Sequence, residues 1–229
     1  MAKNLRLYYD LMSQPSRALY ILLKLSKTPY EDCKVALRKG EHLSDKYKNE
    51  VSRFPQVPCI VDKDGFKLSE SVAIVRYLSR TGNRISNTLY PNEVKQRASV
   101  DEYLEWQHLN TRLGCGMYFR KKFLEPALLG MEPNEAEIAF SKAHMEKSLD
   151  IMENTWLANT DYLCSNSLTV ADIFGACEVE QTALANYDPT EGRPKLKAWL
   201  NRVRKQCTPY YEEAHKFVNI LVEKNKAKL

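Results

Sequence analysis

The sequence predicts two units of different architecture: a small α/β unit with a mixed four-stranded sheet in βαβ-ββα order, then an all-helical unit. Three observations carry this expectation. Near the start, two short apolar runs flank one helical repeat. The stretch from Phe54 to Leu78, FPQVPCIVDKDGFKLSESVAIVRYL, strings together a strand, a tight turn, a second strand and a helix with almost no linker. From Glu93 onward the apolar residues recur only at helical spacing.

Leu5 to Tyr9 is a short apolar, aromatic run suited to a buried strand. Ser13-Gln14-Pro15-Ser16-Arg17 reads as a helix start, because proline at the first helical position lacks only an N–H that would be orphaned anyway. The helix continues through Ala18, Leu19, Ile21, Leu22 and Leu25. Tyr30 to Val35 reads as a second strand, and a helix of about ten residues between two strands implies a right-handed parallel crossover. Residues 36–53 are polar and are expected to be irregular with one helical turn. Val57 to Val61 and Phe66 to Leu68 are the next strands, joined through Lys63-Asp64-Gly65. Val57-Pro58 sits where a strand should begin, and proline there belongs at a first residue, an edge or a cis turn. A cis bond would leave the Val57 N–H and C=O free for a peptide ligand, and the sequence leaves the isomer open.

A helix then starts at Ser69-Glu70-Ser71, with a serine as N-cap and a glutamate against the positive helix end. Val72, Val75 and Leu78, with Ile74 beside them, give it one buried face. The free N–H groups, the Ser71 hydroxyl and the Glu70 carboxylate point at one spot that could hold a small zwitterion, although the same groups also make a plain capped helix. The element order as a whole is thioredoxin-like.

Gly82 to Asn92 is polar, contains Pro91 and lacks periodicity. The expected organisation is therefore an α/β unit over 1–82, a linker over 83–92 and a helical unit over 93–229. One long helix is expected from Glu93 to about Phe123, with others over 134–158, 170–186, 193–206 and 210–225. Thr169-Val170-Ala171-Asp172 has capping-box spacing with Asp for the usual Glu, and Leu168 and Ile173 occupy the staple positions. It reads as a helix-start signal without a chemical role.

With 44% hydrophobic and 28% charged residues among 229, the composition is that of an ordinary globular protein with enough chain to bury a core in each unit. No apolar run reaches the roughly 18 residues of a membrane span, and the N-terminus lacks a signal-peptide hydrophobic region, so the expected location is cytoplasmic. The six cysteines are scattered without zinc spacing, and no metal is expected. They read as reduced, mostly buried thiols. The net charge of +5 is spread along the chain rather than gathered in a stripe, which argues against nucleic acid and for anionic small molecules. The last tripeptide, Ala227-Lys228-Leu229, is similar to the Ser-Lys-Leu peroxisomal address, an ending that a lysine-rich tail also reaches by chance.

A strand opened by Val-Pro, a hairpin and then SES at a helix start resembles the glutathione-binding half of the cytosolic glutathione transferases. LRLYYDLMSQPSRALYILLKL and VDEYLEWQHLNTRL resemble the theta class in particular, and the resemblance covers essentially the whole chain. It implies a homodimer that conjugates glutathione, its co-substrate, to small hydrophobic electrophiles, with reduction of organic hydroperoxides as a related activity. The nucleophile is the thiolate, and a thiol of pKa near 8.5 is only about 3% ionised at pH 7. A hydroxyl donating to sulfur, aided by a helix N-terminus, raises that fraction.

The resemblance assigns this part to Ser13, two residues before the proline; capping the helix is the competing role for the same hydroxyl. Tyr8 and Tyr9 lie near the catalytic tyrosine of other classes but sit within a strand run, and Ser16 stands where theta sequences often have cysteine. Glu70 and Ser71 match the pair that holds the γ-glutamyl end of glutathione. Val57 matches the residue whose backbone pairs with the cysteinyl unit, and His42 the histidine near the glycyl carboxylate. Gln56 replaces a frequent lysine and brings no charge, which implies weaker glutathione binding.

Arg112 matches an arginine facing the active site, and Asp101, Glu105, His108 and Arg112 form one stripe that would equally suit a solvated, salt-bridged face. Met12, Tyr118, Phe119 and Phe217 are candidates for the apolar pocket, or for the core. Two rivals are weighed: a non-catalytic carrier or protein-assembly module on the same fold, and a disulfide oxidoreductase. The second needs a cysteine at the first helix start, where Ser13 to Ser16 contains none.

Overall fold

The computed structural model describes residues 4–82 and 84–226; the Ala227-Lys228-Leu229 ending lies outside them. Strands β1 (Arg6–Tyr9), β2 (Glu31–Lys34), β3 (Cys59–Val61) and β4 (Lys67–Ser69) form one sheet in the order β2-β1-β3-β4. β1 runs parallel to β2 and antiparallel to β3, and β3 is antiparallel to β4. The sheet is thus mixed, as the βαβ-ββα reading requires.

Alternation along the strands sends side chains to opposite faces. Leu7, Tyr9 and Ile60 join the main core with helices α1 (Gln14–Leu25) and α3 (Ser71–Arg80). Tyr8 and Cys59 face the other way, under the short helix α2 (Asp45–Glu50), with Val35, Tyr47 and Val57. Between β2 and α2 the polar segment forms two single 3-10 turns, Leu37–Lys39 and Glu41–Leu43.

The register fixes where the connections emerge. Tyr8 lies opposite Cys59 and Cys59 opposite Ser69, while Tyr9 stands beside Lys34. The C-terminal ends of β1, β2 and β4 and the N-terminal end of β3 therefore share one end of the sheet. Ser13, the 3-10 turns carrying His42, the Gln56-Val57 segment and Glu70-Ser71 all leave the sheet there.

The helical part comprises α4 (Val94–Leu109), α5 (Thr111–Phe119), α6 (Glu125–Leu129), α7 (Glu135–Ile151), α8 (Val170–Glu180), α9 (Pro194–Gln206) and α10 (Tyr210–Lys226). The single long helix expected from Glu93 to Phe123 is in fact broken at Asn110, whose ψ of -95° lies outside the helical region. The Asn110 amide donates to the Trp106 carbonyl at 2.8 Å, a side-chain bond that competes with the helical ladder. Beyond the break Gly114 lets α5 approach α7 closely, since a Cβ there would lie 2.9 Å from Met145 Cα. A wide helical turn at Arg120–Leu124 then leads into α6.

One other expectation needs correction. The N-cap of α3 is Glu70, not a serine: Ser69 belongs to β4, and its hydroxyl pairs with that of Ser52 at 2.7 Å. Within the expected linker, Ile85, Leu89 and Tyr90 are buried, and the Leu89 carbonyl accepts from Val170 N–H at 2.8 Å. Val57-Pro58 is cis, as is Thr208-Pro209. All six cysteines are free. Among the described residues, no helix is long and apolar enough to cross a membrane, and no three His, Cys, Asp or Glu side chains are grouped to hold a metal.

Asp172 does more than cap α8. One carboxylate oxygen accepts from Thr169 N–H at 2.8 Å and Thr169 Oγ1 at 3.0 Å; the other accepts from Leu163 N–H and Trp199 Nε1, both at 2.8 Å. It joins the α8 start to the preceding loop and to α9. Asp172→Ala should cost about 3 kcal/mol or more, because buried N–H donors lose their acceptor. Chemical denaturation reads this as a lower midpoint at unchanged slope.

Candidate active site

The β1-α1 connection is held from both sides. The Asp10 carboxylate accepts from Met12 N–H at 2.9 Å and, with its other oxygen, from Leu37 N–H at 3.0 Å. Arg17, fully buried on α1, donates from Nη1 to the carbonyls of Leu11 (2.9 Å) and Met12 (3.3 Å). Its Nη2 donates to the Cys177 carbonyl (3.0 Å) and Gln181 Oε1 (2.6 Å) beyond α1, on α8 and the 3-10 turn that follows it. The loop that ends at Ser13 is thereby fastened to the helical part.

Ser13 is the N-cap residue of α1, yet its side chain makes no capping bond. It is half-buried, and its hydroxyl has no partner within the chain among the described residues. The capping role is therefore not what the hydroxyl does here, and it remains available to a ligand at a helix N-terminus. Ser16 is fully buried, which removes it as a donor to a ligand. Tyr9 is buried in the core, and burial pushes the half-buried Tyr8 phenol above its usual range.

At the same sheet end, Glu70 has φ 68° and ψ 107°, a conformation that a non-glycine residue holds only when its surroundings enforce it. Gln56 Nε2 donates to Glu70 Oε1 at 2.8 Å, tethering the exposed carboxylate. Gln56 itself is fixed through its carbonyl, which accepts from Tyr47 OH at 2.8 Å. Val57 is half-buried, and its N–H and C=O have no backbone partner among the described residues. Ser71, the first residue of α3, is buried to 3% exposure. His42 is half-buried on the second 3-10 turn, with a buried Nδ1 that has no partner.

The charged stripe of the second half divides. Arg76 on α3 binds Asp101 at 2.9 Å and Glu105 at 2.7 Å, so these two form a salt-bridged face across the two parts. His108 and Arg112 instead line a cleft of about 270 Å³ with Gln14, Pro15, Met117 and Glu178. Burial, and then the Arg112 guanidinium, hold His108 below its usual range, while the Glu70 carboxylate acts the other way. Sequence reasoning missed Arg17 and Glu178; a charged residue on an otherwise apolar helix face was the available signal for both.

Of the pocket candidates, Tyr118 and Phe119 are core residues; Tyr118 meets Tyr187 edge-on at 5.6 Å between ring centroids and Phe119 lies tilted against Phe123 at 5.8 Å. Met12 packs with Phe119 and Val218. Phe217, 56% exposed, lines a cavity of about 360 Å³ with Tyr9, Asp10, Leu11 and Glu41.

Comparison with known proteins agrees with this geometry. Residues 4–80 match the family described as Glutathione S-transferase, N-terminal domain, and residues 111–206 match Glutathione S-transferase, C-terminal domain. Human glutathione S-transferase theta-1 is 37% identical over 216 residues, spanning 94% of this chain and 89% of the relative. The chain belongs to the theta class of the glutathione S-transferases. Arabidopsis thaliana glutathione S-transferase T1 is 33% identical over 222 residues, 94% of this chain and 89% of the relative. Among solved structures, the apo form of human glutathione S-transferase T1-1 superposes with a TM-score of 0.89 at 36% identity, covering 96% of this chain and 90% of its own. The human theta-2 transferase in complex with glutathione and an unknown ligand has the same TM-score at 32% identity, covering 98% and 91%. This theta-class transferase is thus an enzyme of glutathione conjugation, with glutathione as co-substrate.

Glu178 gives the site a measurable pH signature. Burial pushes its carboxyl up to about 7, against the favourable influence of Arg112 and then Arg17. An acid that holds its proton more tightly when folded costs stability once it ionises, so the cost grows from about pH 4 and is complete above the folded value. Glu178→Gln should therefore raise stability by up to about 3 kcal/mol at pH 8 and by little at pH 4. Thermal melts of both proteins across that range check the sign.

Proposed function

We propose that Ser13 supplies the hydrogen bond that stabilises the glutathione thiolate, and that the thiolate then attacks an electrophilic carbon. The observation that carries this reading is the Ser13 hydroxyl itself: at the N-terminus of α1, half-buried and without a capping bond. A donor aimed at developing negative charge beside a helix N-terminus favours the thiolate over the thiol. The reaction then needs positioning rather than further activation.

The other groups are read as the tripeptide's docking points. The Glu70 carboxylate and the Ser71 hydroxyl take the γ-glutamyl end, which presents an ammonium and a carboxylate. The backbone of Val57 pairs with the cysteinyl unit as a strand would. His42 and Gln56 serve the glycyl carboxylate, with Gln56 also orienting Glu70. Arg112 faces the electrophile side from the cleft. Residues 1–82 form the glutathione-binding unit, 83–92 the connection, and 93–229 the helical unit that completes the electrophile site. The protein acts in the cytoplasm as a homodimer; large apolar side chains left exposed on the helical part, Val94, Leu109 and Phe140, support association. Light scattering should return about twice the mass of one chain.

Ultraviolet difference absorbance of the bound thiolate, wild type against Ser13→Ala, tests the central assignment. The variant should lose the thiolate band at neutral pH and lose on the order of 100-fold in kcat/KM, while still binding glutathione. An unchanged band would remove Ser13 from the mechanism. A panel of alkyl halides, epoxides, organic hydroperoxides and activated sulfate esters identifies the electrophile; turnover of none would favour the non-catalytic carrier.

A further inference from the structure

We propose that Glu178 is the acceptor of the proton that glutathione loses on binding, reached through water held in the cleft beside the start of α1. The proposal rests on the reading of Ser13 as the thiolate's partner and adds what that reading leaves open. Ser13 can donate a hydrogen bond to sulfur, but it cannot remove the thiol proton, which has to travel somewhere.

The cleft of about 270 Å³ is lined by Gln14 and Pro15, the two residues after Ser13, and by Glu178 of α8. Glu178 is 1% exposed, and its Oε2 has no hydrogen-bond partner among the described residues. Arg112 also lines the cleft, and its Nη1 is buried and unpartnered. A buried carboxylate and a buried guanidinium nitrogen sharing a cleft without direct contact are groups that ordered water satisfies. At about 30 Å³ per water in the liquid, the cleft has room for several molecules.

The surrounding charges suit an acceptor. Arg17 from α1 and Arg112 from α5 favour the ionised form, while burial opposes it, which leaves a carboxylate poised to take a proton near neutral pH. The buried thiols nearest in charge, Cys115 on α5 and Cys177 on α8, are both pushed up by burial and stay protonated. His108 on α4 is the remaining base in the cleft, and burial together with Arg112 makes it a poorer one. Atoms and electrons balance: the S–H bond breaks with its pair left on sulfur, and an O–H bond forms on Glu178. When the S–C bond forms and the leaving group departs with its electron pair, Glu178 returns the proton to that group or to solvent.

The test counts protons and thiolates together. The full chain is mixed with glutathione in weak buffer containing a pH indicator, at a pH above that at which Glu178 titrates in the free protein, and thiolate absorbance is followed in parallel. Wild type should release clearly fewer than one proton per thiolate, and Glu178→Gln one. Equal ratios in the two proteins, or a change produced by His108→Gln instead, would overturn the proposal. Infrared difference spectra of the wild type supply a check that needs no variant: glutathione binding should bring up the carbonyl stretch of a protonated carboxyl, and its absence refutes the idea. A wild type that binds glutathione with no thiolate band sinks the Ser13 reading and this proposal together. A band that survives in Ser13→Ala sinks the Ser13 reading alone, and the proton count still decides Glu178.

Discussion

The buried guanidinium of Arg17 is the constraint on which the rest of the site depends. Its four hydrogen bonds run to carbonyls on either side of the seam: Leu11 and Met12 on the loop before α1, Cys177 and Gln181 across on the helical part. Nη1 and Nη2 are matched while the buried Nε has no partner among the described residues, and a guanidinium with none of its donors paired would cost several kcal/mol through desolvation. The loop and α8 are consequently held in one relative position. The loop ends at Ser13, and α8 carries Glu178.

The second condition is topological. In a sheet of order β2-β1-β3-β4 with one parallel and two antiparallel pairings, four strand ends coincide on one side. Residues separated by nearly sixty positions thus meet without any long loop having to fold over the site. The remaining adjustment is local and stored in the backbone: Glu70 holds a positive φ while Gln56 grips its side chain. Strain of this kind costs on the order of 1–3 kcal/mol and persists where the surroundings over-determine the conformation. A glutamate placed in such a conformation, with its carboxylate exposed and tethered, is arranged in advance for a cationic group and does not have to find it by rotamer search.

What was legible in the sequence follows from what is local. The helix start at Gln14-Pro15, the hairpin around Gly65 and the box at Thr169 to Asp172 are each encoded within a few residues, and each is present in the fold. The βαβ-ββα succession of elements was legible for the same reason, and the short crossover implied that β1 and β2 are parallel. What was hidden is what depends on partners far away in the chain. The break at Asn110 is invisible in an apolar repeat that continues through it, because the side-chain bond to Trp106 and the close approach of α7 decide it. The burial of Ile85, Leu89 and Tyr90 was masked by polar neighbours in the same segment. The stripe from Asp101 to Arg112 looked uniform, and only Arg76, supplied by the other half of the chain, separates its salt-bridged part from the part that lines the cleft.

The seam between the two parts also explains why chemistry belongs there. A packed core tolerates an ionisable group only at a cost, and Glu178 bears that cost: burial raises its proton affinity against the pull of two arginines. No hydrogen bond within α8 holds the carboxylate at that position, and a glutamine of the same shape would avoid the cost of ionisation. An acid whose ionisation weakens the fold, lining a cleft that Gln14 and Pro15 at the start of α1 also line, is what the proposed proton transfer requires. The same reasoning applies to Arg112, whose buried Nη1 is left without an acceptor. The two groups weaken the seam as separate charges, and in the proposed proton transfer they act together when a thiol beside Ser13 parts with its proton.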